Sequence, residues 1–193
     1  MTGDSAPWLI VGLGNPGPEY AATRHNVGFL VADELAGRAG GRFTTHKRAR
    51  AMVVEGRVQG ERVVVAKPML YMNESGGPVK GLLDFYKVPL ERLIVIHDEL
   101  DIPFAALRLK FGGGDNGHNG LKSIRKSTAT GDWFRLRVGI GRPPGRQEPV
   151  EYVLKPWSSV ERKELPLTIT DAADSIELLM AQGLELAQNR YHA

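Results

Sequence analysis

The chain lacks cysteine altogether, and it contains no apolar run long enough to cross a bilayer, which takes about 20 residues. Without cysteine there is no disulfide framework, no thiolate nucleophile and no thiolate metal site. The opening residues, MTGDSAPW, are too short and too polar to form a secretory leader. These absences predict a cytoplasmic protein that does not bind membranes.

Acidic residues are scarce in the middle of the chain and common at its end. Between Pro103 and Gln147 nine basic residues face two acidic ones, whereas from Ser158 onward six acidic residues face three basic ones. This polarity favours a polyanionic partner, but it is equally typical of solvated charges that bind nothing. The length of 193 residues predicts one domain over 1–193.

The hydrophobic pattern alternates between strand-like and helix-like segments. Helical spacing of apolar residues begins near Asn26 and stops at Gly37, and it recurs over 78–87 and 169–183. Strands are predicted at 8–11, 51–54, 62–66, 93–96, 107–110 and 134–141, the last two with one basic face, and a hairpin joins the second to the third. The order predicts an α/β protein, a single three-layer domain with a twisted mixed sheet flanked by helices.

A glycine turn follows the first strand, and its spacing from Gly12 to Gly17 fits the dinucleotide motif G-x-G-x-x-G. That motif needs a helix to begin at once, so that its N–H groups face a pyrophosphate. Here Pro16 and Pro18 intervene, which disfavours a dinucleotide site. A turn without function leaves Asn15 unexplained, whereas the amide of Asn15 is suited to reading a substrate amide.

Three of the five histidines, His25, His97 and His118, lie at loops or element junctions. A carboxylate such as Asp98 beside His25 would hold one tautomer and stabilise a general base. No serine lies in a nucleophile-elbow motif, so the simplest chemistry is water activated by a His–Asp pair. The acidic turn 97–101 lacks the spaced histidine pair of a metal site, and neither metal nor cofactor is predicted.

Two polar segments flank predicted helices. Tyr71 to Gly76 precedes the helix at 78–87, where Asn73 or Ser75 is also suited to simple capping. The glycine-rich loop 112–120 precedes a basic stretch and is either a flexible loop or a phosphate-binding one. The second interpretation leads us to select five basic side chains as phosphate ligands: Lys110, Lys122, Arg125, Lys126 and Arg135.

Five blocks, in order, resemble bacterial peptidyl-tRNA hydrolases: GLGNPGxEYxxTRHNVGF, KPxxYMNxSG, HDELD, GGGxxGHNGLKS and FRLRVGIGRP. The resemblance covers about residues 8–190 and shows no departure at the motif positions. It implies hydrolysis of the ester that links a peptide to the 3′ ribose of tRNA, with binding at the acceptor arm and 3′ end. DNA is not an expected partner, and a monomer is expected.

By this resemblance His25 activates water, Asp98 orients His25, and Asn15 separates peptidyl-tRNA from free aminoacyl-tRNA. The remaining substrate-binding residues that we predict line the cleft: Tyr20, Tyr71, Met72, Asn73, His118 and Asn119. Two other classes stay open from the residues alone, a nucleotide-dependent oxidoreductase and a non-catalytic RNA-binding module.

Overall fold

The computed structural model describes residues 6–192, and seven strands form a single sheet. In chain order the strands are β1 (Trp8–Gly12), β2 (Thr44–Thr45), β3 (Ala51–Val58), β4 (Glu61–Pro68), β5 (Leu93–Glu99), β6 (Leu107–Phe111) and β7 (Phe134–Gly139). Their spatial order is β2-β3-β4-β1-β5-β7-β6. The four central strands β4, β1, β5 and β7 are mutually parallel, and the outer strands join antiparallel.

Six α-helices cover the sheet within the described part of the chain: α1 (Val27–Arg38), α2 (Gly76–Tyr86), α3 (Asn119–Thr128), α4 (Pro149–Val153), α5 (Ser159–Gln182) and α6 (Leu184–Tyr191). One apolar core joins α1 and α5 to residues such as Ile10 and Ile94. A second core on the other face joins α2 and α3 to residues such as Val11 and Val95. The structure confirms the predicted α/β architecture with its mixed sheet between helices.

The glycines of the first turn serve packing. A Cβ on Gly12 would collide with the backbone carbonyl of Gly28, and a Cβ on Gly14 would lie 2.8 Å from the Phe29 ring. Strand β1 therefore lies directly against the start of α1, which begins ten residues after Gly17. Because no helix begins immediately after the turn, the motif has the spacing of a dinucleotide site without its phosphate-binding geometry.

The predicted segments are present with shifted ends, most of all at the C-terminus. Helix α5 begins ten residues before the predicted 169, because Ser158 and Glu161 form a capping box and the first turns are largely exposed. An apolar stripe cannot reveal such turns. The single-domain prediction over 1–193 includes ends outside the described residues and stays a prediction. None of the described helices is both long and apolar enough to span a membrane.

Candidate active site

A cleft of about 350 Å³ opens beyond the carboxyl ends of the parallel strands. Strand β1 lies between β4 and β5, so the loops that follow these three strands meet at one edge, where open α/β sheets bind ligands. The lining residues come from these loops, the end of β5, the loop before α3, and the helices α3 and α4 with the residue after α4: Asn15, His25, Tyr71, Met72, Asn73, Asp98, Glu99, Leu100, Asn116, Gly117, His118, Asn119, Pro149, Val150, Val153 and Leu154.

Asp98 lies at the centre of a chain of hydrogen bonds between two histidines. Its Oδ2 accepts from Nδ1 of His25 at 2.8 Å, and its Oδ1 accepts from Nε2 of His118 at 2.8 Å. The carboxylate is buried, since β5 is covered on both faces, while His25 lies in a short 3-10 helix that precedes α1. Sequence reasoning predicted the pairing of His25 with Asp98, and the structure brings these residues together.

The proton of His118 is assigned to Nε2 by its other contacts. Its Nδ1 accepts from the backbone N–H groups of Gly120 and Leu121, at 3.1 and 3.3 Å, and so caps α3. The ring can therefore donate to Asp98 only through Nε2. Hence His118 ties the start of α3 to the carboxylate, a role that the capping geometry supplies and that we did not predict.

The electrostatics of the cluster favour a charged carboxylate. Burial opposes the charge of Asp98, but His25 and His118, through charge and hydrogen bonds, hold the pKa of Asp98 well below 3.8. For His25, burial disfavours the imidazolium, yet the charge and hydrogen bond of Asp98 outweigh it and raise the pKa above 6.5. His25 is therefore a base strengthened by its partner.

His97, the third histidine considered, is fully buried and does not line the cleft. Its Nδ1 donates to the backbone carbonyl of Asp98 at 2.7 Å, and its ring packs edge-on against His118 with centroids 5.0 Å apart. Burial and the neighbouring His118 lower the pKa of His97 to about 3, so this ring is neutral.

Asn15 is held by one hydrogen bond to its side chain and by two to its backbone. Its Oδ1 accepts from the N–H of Met72 at 2.6 Å. Its backbone N–H and C=O pair with the side chain of Asn26 at 2.9 Å each. With Oδ1 engaged, the Nδ2 of Asn15 is the atom left to serve a ligand, as a hydrogen-bond donor. Asn26, which sequence reasoning missed, follows His25 directly and so links the base to Asn15.

The other predicted cleft residues lie near its mouth. Tyr71 is 54% exposed, and Tyr20 packs edge-on against it with ring centroids 6.2 Å apart, just outside the lining set. Asn73 and Asn119 are exposed in the cleft wall and also line a second groove along α3. Their amides are thus available to a bound substrate.

The wall formed by α4 was not predicted, because its segment has little pattern of its own. Val150 is 69% exposed, and with Val153 and Leu154 it makes one side of the cleft apolar. Arg24 connects this wall to the base: its guanidinium donates to the carbonyl of Tyr152 at 3.2 Å and to Glu161 at 2.8 Å. The sequence shows only that an arginine directly precedes His25, and its burial and partners became evident with the structure.

The predicted basic residues divide into surface and interior groups. Lys122 and Lys126, one turn apart on α3, are exposed and line the groove that contains Asn73 and Asn119. Arg125 is exposed on another side of α3, near Gly131. Lys110, on β6, is half-buried, and burial together with the charges of Arg137 and Arg135 lowers its pKa.

Arg135 is a correction. We predicted a phosphate ligand, but the residue is 1% exposed and its guanidinium donates to the carbonyls of Gly113, Gly114 and Gly131. The backbone of Gly113, Gly114 and Gly131 and the Trp133 ring, whose centre lies 4.0 Å from the guanidinium carbon, cover this side chain on the face of β7 that we took as basic. Arg135 fastens the glycine loop to the sheet, and we leave it out of the substrate-binding set.

The donor atoms of His25, Asp98 and His118 lie within 4.8 Å of one another, as the ligands of a metal ion would. Both carboxylate oxygens are already engaged by the two imidazole N–H groups, and a cation would have to displace a proton from each ring. The hydrogen bonds therefore account for the cluster, and we assign it no ion.

A His–Asp pair in a cleft at the carboxyl edge of a mixed α/β sheet is the arrangement of an enzyme that uses a histidine as general base. The family model described as "Peptidyl-tRNA hydrolase" matches residues 9–193. The chain belongs to the peptidyl-tRNA hydrolase family, and it is an ester hydrolase.

Individual relatives agree along the whole chain. A peptidyl-tRNA hydrolase from Frankia casuarinae is 62% identical, covering 100% of this chain and 96% of the relative. One from Rhodococcus erythropolis is 59% identical, covering 100% of both. The crystal structure of peptidyl-tRNA hydrolase from Acinetobacter baumannii superposes with a TM-score of 0.88 at 38% identity, covering 97% of this chain and 95% of that one. These findings confirm the family resemblance and set aside the oxidoreductase and the non-catalytic module.

Proposed function

We propose that this chain cleaves the ester between the peptide and the 3′ ribose of peptidyl-tRNA, with His25 as general base and Asp98 as its orienting carboxylate. The observation that carries the proposal is the 2.8 Å hydrogen bond from His25 Nδ1 to Asp98 at the wall of the cleft. Because Nδ1 donates to the carboxylate, Nε2 keeps the lone pair that can accept a proton.

The reaction then follows from one base and one water. The water oxygen attacks the ester carbonyl carbon while one of its protons moves to Nε2 of His25. When the tetrahedral intermediate collapses, the bond to the 3′ oxygen breaks, and His25 returns the proton to that oxygen. Asp98 stabilises the imidazolium between these two steps. The products are free tRNA and the peptide acid, which keeps the second proton of the water and then loses it to solvent.

We assign the oxyanion of the intermediate to an amide donor, Asn73 or Asn119. Both side chains are exposed in the cleft wall, and N–H donors fixed near a developing oxyanion typically contribute about 10²- to 10³-fold in rate. Tyr20 and Tyr71 offer flat apolar surfaces at the mouth for the 3′ end or the peptide. Met72 and His118 contribute through the contacts that position Asn15 and Asp98.

We propose that Asn15 recognises the peptide part of the substrate. Its Nδ2 would donate to the carbonyl of the peptide's second residue, a group that an unblocked aminoacyl-tRNA lacks. An amide N–H₂ is also a poor neighbour for the free α-ammonium of such a tRNA. The hydrogen bond of Oδ1 to Met72 supports this assignment, because it fixes which end of the amide is available.

Phosphates of the acceptor arm are assigned to the basic residues that solvent reaches. Lys122 and Lys126 line the groove continuous with Asn73 and Asn119, which leads away from the cleft. Arg125, on another side of α3, and Lys110, on β6, are retained as further candidates. Contacts to phosphates position any tRNA without reading its sequence, as a hydrolase of many peptidyl-tRNAs requires. We further propose that the protein is cytoplasmic, because its substrate arises in translation. We also propose that it is a monomer, which light scattering of the purified chain tests.

Replacing His25 tests the proposal. We expect His25→Ala to lower kcat for peptidyl-tRNA by about 10²- to 10⁴-fold, since a general base contributes that much. Binding of tRNA, measured by filter retention, should stay near the wild-type value. His192→Ala removes a histidine outside the cleft and should leave turnover unchanged. Wild-type turnover by His25→Ala would disprove the role of His25.

A further inference from the structure

A second basic surface lies apart from α3, in the turn between β2 and β3. Residues 46–50 form this element, which we name the basic turn. No acidic residue occurs between positions 35 and 54. Lys47, Arg48 and Arg50 are all exposed, and none of them forms an ion pair with any residue in the range 6–192. Charge of one sign is thus concentrated at a single turn.

The basic turn is rigidly built. Nδ1 of His46 accepts from the backbone N–H groups of Arg48 and Ala49, both at 3.1 Å. The His46 ring packs edge-on against Phe85 at 4.6 Å between centroids. Arg50 has φ of 46°, the left-handed region that an arginine rarely adopts, and its carbonyl accepts from the N–H of Met69 at 3.0 Å.

This construction has a consequence for the three charges. Holding the backbone fixed presents Lys47, Arg48 and Arg50 in one arrangement, which reduces the entropy lost when they bind a partner.

The basic turn is connected through α2 to the groove proposed for the acceptor arm. Gly76, at the start of α2, donates its N–H to Ser123 of α3 at 2.8 Å, and Gly81 packs against Ala49 of the basic turn. An α-helix rises 1.5 Å per residue, so α2 spans about 16 Å. The basic turn also lies beside Met69, two residues before Tyr71 in the cleft wall. An extended ligand in the groove is therefore within reach of the turn.

The chemistry of the surface fits a sugar–phosphate backbone. Phe85 is 50% exposed, and the guanidinium of Arg48 lies 6.0 Å from the centre of its ring. Basic side chains beside an exposed aromatic ring are the combination that binds nucleic acid strands without sequence preference. A peptide of changing sequence offers no constant negative charge to match this turn, whereas every tRNA does.

We propose that the basic turn is a second contact for the phosphate backbone of the substrate's tRNA, remote from the ester. The proposal rests on tRNA being part of the substrate, and it does not depend on the assignment of Lys122 and Lys126. It adds a site on the β2–β3 side of α2 to the groove on α3. Together the two sites would hold the RNA on either side of α2.

The experiment compares Lys47→Ala/Arg48→Ala with wild type on two substrates. One is full-length peptidyl-tRNA, and the other is an N-blocked aminoacyl ester of a trinucleotide that carries only the 3′ end. We expect KM for the full-length substrate to rise about 3- to 10-fold with kcat unchanged, and KM for the trinucleotide ester to stay constant. The salt dependence of log Kd for tRNA should become shallower by about one to two units.

Matched variants make the outcome decisive. Arg57→Ala/Lys163→Ala removes the same charge from exposed positions elsewhere. It should leave KM unchanged for the full-length substrate and for the trinucleotide ester. Lys47→Arg/Arg48→Lys keeps the charge and should restore the wild-type KM, while thermal melting verifies folding of each variant. An unchanged KM for full-length substrate overturns the proposal, and so does an equal rise for both substrates. Binding of the turn to ribosomal RNA or an acidic protein, with the KM for peptidyl-tRNA unaffected, also overturns it.

Discussion

The interior cluster around Asp98 and the basic surfaces on α3 and in the basic turn both carry charge, but they hold it in opposite ways. Asp98 is buried, and each of its carboxylate oxygens has a fixed histidine partner. Lys122 and Lys126 are exposed and have no ion-pair partner within the described residues. Buried charge with fixed partners sets proton affinities, whereas exposed unpaired charge attracts a polyanion.

The difference predicts that substitutions in the two regions affect different kinetic constants. A substitution in the cluster removes an interaction that stabilises only the transition state, so kcat should fall at nearly constant KM. A change on a basic surface removes binding energy that ground state and transition state share, so KM should rise at nearly constant kcat.

The strongest effect is expected from Asp98→Asn. An asparagine can donate to Nδ1 of His25, which places the ring proton on Nε2 and removes the base, so kcat should fall about 10²- to 10⁴-fold. Steady-state kinetics on peptidyl-tRNA measure the change. Asp101→Asn, on the same turn but exposed and paired with Arg142, is the control that should keep kcat. A proportional loss in both variants would contradict the special position of Asp98.

The pH profile of kcat/KM sharpens the same contrast. His25 must be neutral to accept a proton, and its pKa lies above 6.5 because of Asp98, so activity should rise with pH through a midpoint above 6.5. In Asp98→Asn the NMR titration midpoint of the His25 ring should lie at lower pH than in the wild type, since burial without the carboxylate lowers the pKa of His25. A wild-type activity midpoint that differs from the NMR midpoint of His25 would show that another group controls the reaction.

A smaller, selective effect is expected from Asn15→Asp. The carboxylate can still accept from the N–H of Met72, but it no longer donates to a peptide carbonyl. The ratio of kcat/KM for blocked over unblocked aminoacyl-tRNA should fall by about 10- to 100-fold, the equivalent of one lost buried hydrogen bond. Asn189→Asp, an exposed change on α6, is the matched control. Unchanged selectivity would assign the reading of the peptide to another residue.

The smallest effect is expected on the surface, from Lys122→Ala/Lys126→Ala. KM for peptidyl-tRNA should rise about 3- to 10-fold at low salt and approach the wild-type value at high salt, because phosphate contacts act through counterion release. kcat should stay within about twofold. A fall in kcat would mean that α3 helps to build the catalytic geometry, and it would weaken the contrast between interior and surface.

Local sequence patterns revealed the elements and the chemistry of the site with little error. The β-branched run of β5 followed by His97 and Asp98 predicted a buried strand with a polar exit, and a family resemblance added the role of His25. Arg135 shows where the pattern misled, because alternation along β7 indicates two faces but not what covers each. That depends on Gly113, Gly114 and Gly131, whose carbonyls meet the Arg135 guanidinium only in the folded chain.

Other features depended on contacts between distant segments. Asn26 is one residue from His25, yet its role follows only from its paired hydrogen bonds to Asn15. The cap that His118 provides for α3 and the link of Arg24 to α4 also join residues that no periodicity connects. Such partners are selected when the chain folds, since polar groups pair with whatever burial brings near them.

The sequence by itself determined the alternation of strands and helices and the presence of a histidine, a carboxylate and amides after β1, β4 and β5. Only the tertiary structure decided which nitrogen of His118 carries the proton, which end of Asn15 faces the substrate, and that Arg135 serves the fold. The physical reason is range: apolar periodicity acts over one element, whereas the state of a polar side chain depends on neighbours that strand order and helix packing bring together.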